Sequence, residues 1–166
     1  MQNPAAEAIE IIKDEHRSMG AVVRGMQARV AAVRAGTEPL DLYLLRAMFD
    51  YIEMMPDRVH HPKEDEYLFR FLRRRSVEAA RMLDELEAEH VRARELLASM
   101  RAALDGTREG GRIDALERAL DAYASFLWQH MKREEEFVLP LAERWLDADD
   151  WQTIAVAFRA NRDFAW

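Results

Sequence analysis

Two histidines, His60 and His130, each stand four residues before a glutamate, Glu64 and Glu134. His16, His61 and His90 complete the chain's five histidines. Neutral imidazole and carboxylate are the donors that transition-metal cations take. A helix sets residues four apart on one face with Cβ atoms about 5–6 Å from each other. Each His-x-x-x-Glu pair can therefore serve one cation cluster. The chain has no cysteine, which excludes thiolate sites, iron–sulfur clusters, disulfides and cysteine nucleophiles. Any metal site must then be built from histidine and carboxylate.

The elements that must bring these groups together read as helices, with no alternating strand pattern. A first helix from about Pro4 to Arg34 carries Ile12, His16, Met19, Val23, Met26, Val30 and Val33 at spacings of threes and fours. Ala35-Gly36-Thr37-Glu38 ends it, and Pro39 is expected to open a second helix with the stripe Leu45, Phe49, Ile52, Pro56, His60, Glu64, Leu68 and Phe71. Pro56 and Pro62 each remove a backbone hydrogen bond and should kink that helix. Ser76 is expected to cap a third helix, with Leu83, Leu86, His90, Ala93, Leu97, Met100 and Leu104 on one face and Asp105-Gly106 at its end. Beyond Gly110-Gly111 a fourth helix shows Leu116, Leu120, Tyr123, Leu127, His130, Glu134, Phe137 and Leu141, with Pro140 bending its far end. A short fifth helix over about 150–160 presents Trp151, Ile154, Ala155 and Phe158 and is expected to lie across the others as a cover. The expected fold class is all-α: an up-down-up-down four-helix bundle over about 4–145 plus the covering helix, in a single domain over 1–166.

A repeat underlies this layout. Asp14-Glu15-His16, with Met26 ten residues after the histidine, matches Ala88-Glu89-His90 with Met100. His60-x-x-x-Glu64-x-Glu66-Tyr67-Leu68 matches His130-x-x-x-Glu134-x-Glu136-Phe137-Val138. Two hairpins, each with one histidine on its first helix and a His-x-x-x-Glu on its second, would make a pseudo-twofold site suited to two cations. His61, opposite Met131, is the asymmetric extra. Counting residues from the loops places His16, His60, His90 and His130 within roughly 8 Å of one another in height, at 1.5 Å per residue.

Each motif also has a bland reading. A lone histidine on an apolar stripe is more often a hydrogen-bonded core residue than a ligand. Four helices each placing one there by chance is roughly a 1 in 30 event if about 3/7 of helical positions face the core. Burying five imidazoles and two carboxylates without a cation would also cost several kcal/mol, on the order of 1–3 for each missed hydrogen bond. The joint pattern favours metal. Glu134-Glu135-Glu136 taken alone is an acidic face, of which only Glu134 shares the stripe, and the nine methionines read as core filler.

Composition bounds the rest. A chain of 166 residues can bury roughly 70% of its unfolded surface, so stability does not oblige it to bind anything. A net charge of −7 argues against nucleic acid or an anionic membrane as partner, and Arg73-Arg74-Arg75 reads as a solvated helix end. No stretch approaches about 18 apolar residues, and Met1 to Glu15 carries acids rather than a basic region followed by an apolar one. A soluble, cytoplasmic protein is expected.

His16 in Asp14-Glu15-His16, the block His60-His61-Pro62-Lys63-Glu64-Asp65-Glu66-Tyr67-Leu68-Phe69, His90 in Glu89-His90, and His130-Met131-Lys132-Arg133-Glu134-Glu135 together resemble the hemerythrin-like, HHE cation-binding family. The resemblance covers Met1 to about Arg144, and the tail from Asp150-Trp151 to Asn161-Arg162-Asp163 is similar to ends common in bacterial members. It implies a non-haem di-iron centre in an up-down-up-down bundle: two iron ions, an oxo or hydroxo bridge, two bridging carboxylates and an open position for dioxygen. Zinc or manganese could substitute during preparation. Carried over by residue, His16, His60, His90 and His130 become terminal ligands and Glu64 and Glu134 the bridges.

The chain departs from the respiratory hemerythrins in two places. Where those proteins have a second histidine four residues along the third helix, this chain has Arg94, and His61 is the nitrogen available to replace it. Their second bridge lies five residues after its histidine, which points to Glu135, whereas the stripe favours Glu134; both stay open. A ferritin-like site fits less well, because only one inward Glu-x-x-His, Glu87 to His90, is present. The expected ligand is dioxygen or another small diatomic or peroxide molecule, behind apolar walls from Ile12, Met19, Phe49, Leu86 and Leu127. The alternatives are a redox enzyme acting on peroxide or nitric oxide, with Tyr123 or Asp57 as an outer acid, or an iron-responsive or iron-donating module.

Overall fold

The computed structural model describes residues 3–107 and 113–164. Among them the chain is helical with no strand, and the expected all-α fold is what forms. The Gly110-Gly111 loop lies outside the described residues. Helix α1 runs Pro4–Arg34, with Asn3 accepting from the Ala5 amide at 3.0 Å as its cap and proline in its first turn. Gly36 then takes a φ of +73°, the left-handed turn that a residue without Cβ adopts freely.

Helix α2 spans residues 42–75. Pro39 does not open it; Asp41 caps it instead by accepting from the Leu44 amide at 2.9 Å. Inside α2, α-helical stretches at Leu42–Ile52, His61–Lys63 and Arg70–Arg75 alternate with wider π-type turns at Glu53–His60 and Glu64–Phe69. The first wide turn contains Pro56, and Pro62 opens the short α stretch after it. The helix thus absorbs the two prolines by widening its turns, in the segment where the histidines and Glu64 lie.

Helix α3 covers Ala80–Asp105. Ser76 ends α2, and its hydroxyl accepts from the Ala79 amide at 3.3 Å, so a turn at 77–79 separates it from the helix it was expected to cap. Helix α4 spans residues 113–145, with a wide turn at Glu134–Val138 between Ile113–Arg133 and Leu139–Trp145. Helix α5, Ala148–Arg159, starts at a reciprocal capping box of Asp147 and Asp150 and runs into a 3₁₀ turn at Ala160–Phe164.

The elements pack as a helical bundle in which α4 lies against α1 and α3, and α5 lies along α1. The apolar interior is in two parts. One cluster holds Met19, Val23, Met26, Phe49, Ile52, Met100 and Leu120. The other holds Ile11, Ile12, Leu68, Phe69, Leu86, Val138 and the buried face of α5. Between them, Glu15, His16, His60, His61, Glu64, His90, His130 and Glu134 form a layer of buried polar side chains. No helix among the described residues is long and apolar enough to cross a membrane.

Candidate metal centre

Every histidine expected on the core face is there: His16, His60, His61, His90 and His130 are all buried, with Glu64 and Glu134. Their donor atoms form two groups. His16, His60, Glu64 and Glu134 converge within 4.8 Å, and so do His61, Glu64, His90 and His130. Within the first group the Nε2 atoms of His16 and His60 are 3.0 Å apart; within the second, those of His90 and His130 are also 3.0 Å apart. Two nitrogens bound at right angles on a cation with a bond length near 2.1 Å would be separated by about 3.0 Å. Both pairs have the spacing of neighbouring ligands.

The carboxylates divide themselves between the groups. Glu64 points Oε1 to His60 Nε2 at 3.1 Å and Oε2 to His90 Nε2 at 3.6 Å. Glu134 points Oε2 to His16 Nε2 at 3.3 Å and Oε1 to His130 Nε2 at 2.9 Å. All four oxygens are buried and accept no well-directed hydrogen bond among the described residues, and neither does His61 Nδ1. Buried carboxylates without donors are costly unless a cation satisfies them. The donor set, five nitrogens and four oxygens with no sulfur, suits two cations of the transition series.

Each of the four paired histidines is held from behind. Nδ1–H of His60 donates to Glu15 Oε2 at 2.6 Å, that of His130 to Glu89 Oε2 at 2.7 Å, that of His90 to Asp65 Oδ1 at 2.8 Å and that of His16 to Glu135 Oε1 at 2.8 Å. A carboxylate on Nδ1 fixes the tautomer, turns Nε2 toward the cation and raises its basicity. Glu135, held open as a second bridge, thus faces the back of His16, while Glu134 faces both groups. The sequence reading missed Glu15, Asp65 and Glu89 in this role. A signal was present, because each acid adjoins a ligand in the chain and Glu15 and Glu89 already formed part of the repeat.

The electrostatics follow from this crowding. Burial pulls His16 down, yet the nearby carboxylates of Glu134, Glu135 and Glu64 hold it well above the ordinary imidazole value of 6.5. Burial is likewise outweighed at His60 by Glu64 and Glu15, which raise it. At His90, Asp65 and Glu134 overcome burial and lift it to about 10, and at His130 Glu134 and Glu89 lift it to about 9. His61 behaves oppositely: burial, then the charges of His90, His130 and His60, push it well below 6.5. Burial and mutual repulsion work to raise Glu64 and Glu134, but the surrounding imidazoles win and lower both. The carboxylates thus favour protons on His16, His60, His90 and His130, while burial and like charge disfavour one on His61.

Aromatic rings form the walls. Phe69 stacks on His90 with centroids 5.6 Å apart, Phe126 on His130 at 6.0 Å, and Phe158 meets His60 edge-on at 5.9 Å. His61 lies flat on His90 at 4.1 Å, as the next nitrogen of the same group. Ile12, Met19, Phe49, Leu86 and Leu127 are buried in the two apolar clusters. Arg94, four residues after His90 on α3, reaches Asp57 at 3.7 Å.

A helical bundle with paired histidine and glutamate donors at mid-depth is the architecture of a metal-cation protein. The chain belongs to the hemerythrin HHE cation-binding domain family, whose model matches residues 7–142. That match spans all seven of the expected ligands. A search of curated proteins gave no match.

Proposed function

We propose that this protein is a non-haem di-iron protein that binds dioxygen for sensing, delivery or scavenging. The observation that carries this reading is the sharing of Glu64 and Glu134, each with one oxygen toward His16 and His60 and the other toward His90 and His130. Such carboxylates would bridge two cations, both of which depend on the same pair of side chains. A pair of iron ions would supply reversible electron storage and affinity for small diatomic ligands.

The chain's own residues set where that chemistry is available. His61, His90, His130, Glu64 Oε2 and Glu134 Oε1 give one position five donors. His16, His60, Glu64 Oε1 and Glu134 Oε2 give the other position four. The position held by His16 and His60 is therefore the one we assign to the exogenous ligand. His61 does the work of the absent second histidine on α3, from α2. Phe158, Ile12 and Met19 keep that side apolar, which limits water and favours reversible binding over turnover.

One observation favours an alternative, a redox enzyme acting on peroxide or nitric oxide. Among the described residues the buried Tyr123 hydroxyl has no hydrogen-bond partner and buried Asp57 Oδ1 has only the Arg94 guanidinium at 3.7 Å, and the Asp57 charge helps burial to raise Tyr123. Tyr123 lies seven residues before His130, about 10 Å along the helix. It would therefore deliver a proton only through intervening groups. Stopped-flow spectra of the anaerobically reduced protein mixed separately with oxygen, peroxide and nitric oxide distinguish the two. Reversible oxygenation supports binding, and fast turnover of peroxide or nitric oxide overturns it in favour of the enzyme.

A further inference from the structure

The two halves of the centre repeat each other as far as the second carboxylate and then differ. Behind His60, Glu15 Oε2 accepts a further hydrogen bond from the Asn161 amide at 3.1 Å. Behind His130, Glu89 Oε1 is paired with the Arg133 guanidinium, whose other arm holds Glu85 at 2.7 Å. The Glu15 branch ends in a neutral amide and the Glu89 branch in a cation. Asn161 is buried, 2% exposed, and comes from the 3₁₀ turn after α5. It is accompanied from the same segment by Phe158 against the His60 ring and by the Ala157 carbonyl, which accepts from Lys63 Nζ at 2.7 Å. Arg159 ties the segment to Glu7 through two bonds of 2.8 Å. The C-terminal segment therefore touches the second carboxylate on one side of the centre, the side with four protein donors.

We infer that Asn161 and Arg133 are positioning residues that make the two cation positions unequal, Asn161 by orienting Glu15 behind His60 and Arg133 by drawing charge from Glu89 behind His130. The inference rests on the paired-cation reading above. A carboxylate oriented by an amide keeps its full charge to pull on the Nδ1 proton, so His60 is the stronger donor through Nε2. A carboxylate shared with a guanidinium pulls less, and the guanidinium itself repels a cation nearby. The position with fewer ligands thus has the more basic histidine, and the position with more ligands has the weaker one. This compensation lets a four-donor position hold its ion while keeping room for an exogenous ligand.

The test reads ion release from the full-length protein loaded with Co(II), followed by its visible absorption after excess chelator, in wild type, Asn161→Ala, Arg133→Gln and Arg133→Lys. Two release phases are expected in wild type. Asn161→Ala should speed one of them about three- to tenfold, a step smaller than the 10–100-fold typical of direct outer-shell partners. Arg133→Gln should slow the other phase by a similar factor, and Arg133→Lys should restore the wild-type rate. Slower release cannot come from damaged packing, so this sign separates electrostatic positioning from a structural role. Acceleration by Arg133→Gln, or an effect of both variants on the same phase, overturns the inference while the paired site stands. A wild-type stoichiometry of one Co(II) overturns the paired reading and the inference with it.

Discussion

Glu15 adjoins His16 in the chain but hydrogen-bonds to His60 on the next helix, at 2.6 Å from Nδ1. The same crossing recurs where Glu89, adjoining His90, holds His130 at 2.7 Å. Each hairpin is thus cross-braced, its first helix supplying both a ligand and the support for the ligand opposite. Glu15→Ala and Glu89→Ala should each lower metal affinity about 10–100-fold while leaving the apo protein folded. Competition with a chelator of known affinity measures this, and unchanged affinity in both variants would remove the bracing role.

Sharing of the carboxylates predicts a contrast between two ligand variants. Glu64→Ala removes a donor from both groups and should lower occupancy at both positions, whereas His61→Ala removes one nitrogen from the five-donor group and should mainly affect one. Metal content per chain by elemental analysis gives the comparison. Equal loss in the two variants would contradict the bridging assignment.

Acidity should govern loading. The raised values of His16, His60, His90 and His130 mean that these imidazoles hold protons more tightly in the apo protein than free imidazoles do, and protons must leave for them to coordinate. Uptake should therefore release protons, apparent affinity should climb as pH rises from 6.5 toward the values near 9 and 10, and metal should leave on acidification below about 6. Calorimetry in buffers of different ionisation enthalpy counts the protons, and uptake independent of pH would contradict this ligand set.

Removing the metal should reverse the pH trend of stability. His16, His60, His90 and His130, all raised above 6.5, contribute stability that is full below that value and is lost as pH climbs, through about 10 for His90 and about 9 for His130. Glu64 and Glu134, lowered from 4.5, contribute above that value and lose their contribution as pH falls. His61, pushed down, makes folding less favourable below 6.5 because the unfolded chain takes the proton more readily. Chelated protein should accordingly melt highest near pH 6.5 and lower at pH 9, while metal-loaded protein gains between the same two values. Thermal melts at these pH values decide it.

Much of the fold and the ligand set could be read from periodicity. Helices recur at threes and fours, and His16, His60, His90 and His130 each replace an aliphatic residue on such a row, so both the bundle and its polar layer are visible without coordinates. What eluded the sequence was governed by neighbours rather than by period. Asp65 and Glu135 follow Glu64 and Glu134 on faces that look solvated, and only the approach of another helix reveals that they support His90 and His16. The same holds at the helix ends, where Asp41 rather than Pro39 satisfies the first amides of α2 because its side chain can accept a hydrogen bond. Pro56 and Pro62 suggested kinks, and what periodicity did not show is the widening of the turns at Glu53–His60 and Glu64–Phe69 beside them.

The division of the apolar interior into two clusters has a mechanical consequence. Neither hydrophobic stack runs the length of the molecule, so bound cations would act as a rivet between two blocks otherwise joined through helix backbone and the polar layer. Amide hydrogen exchange should record this as a change in cooperativity: in chelated protein the two ends open independently and at different rates, and with metal bound they open together.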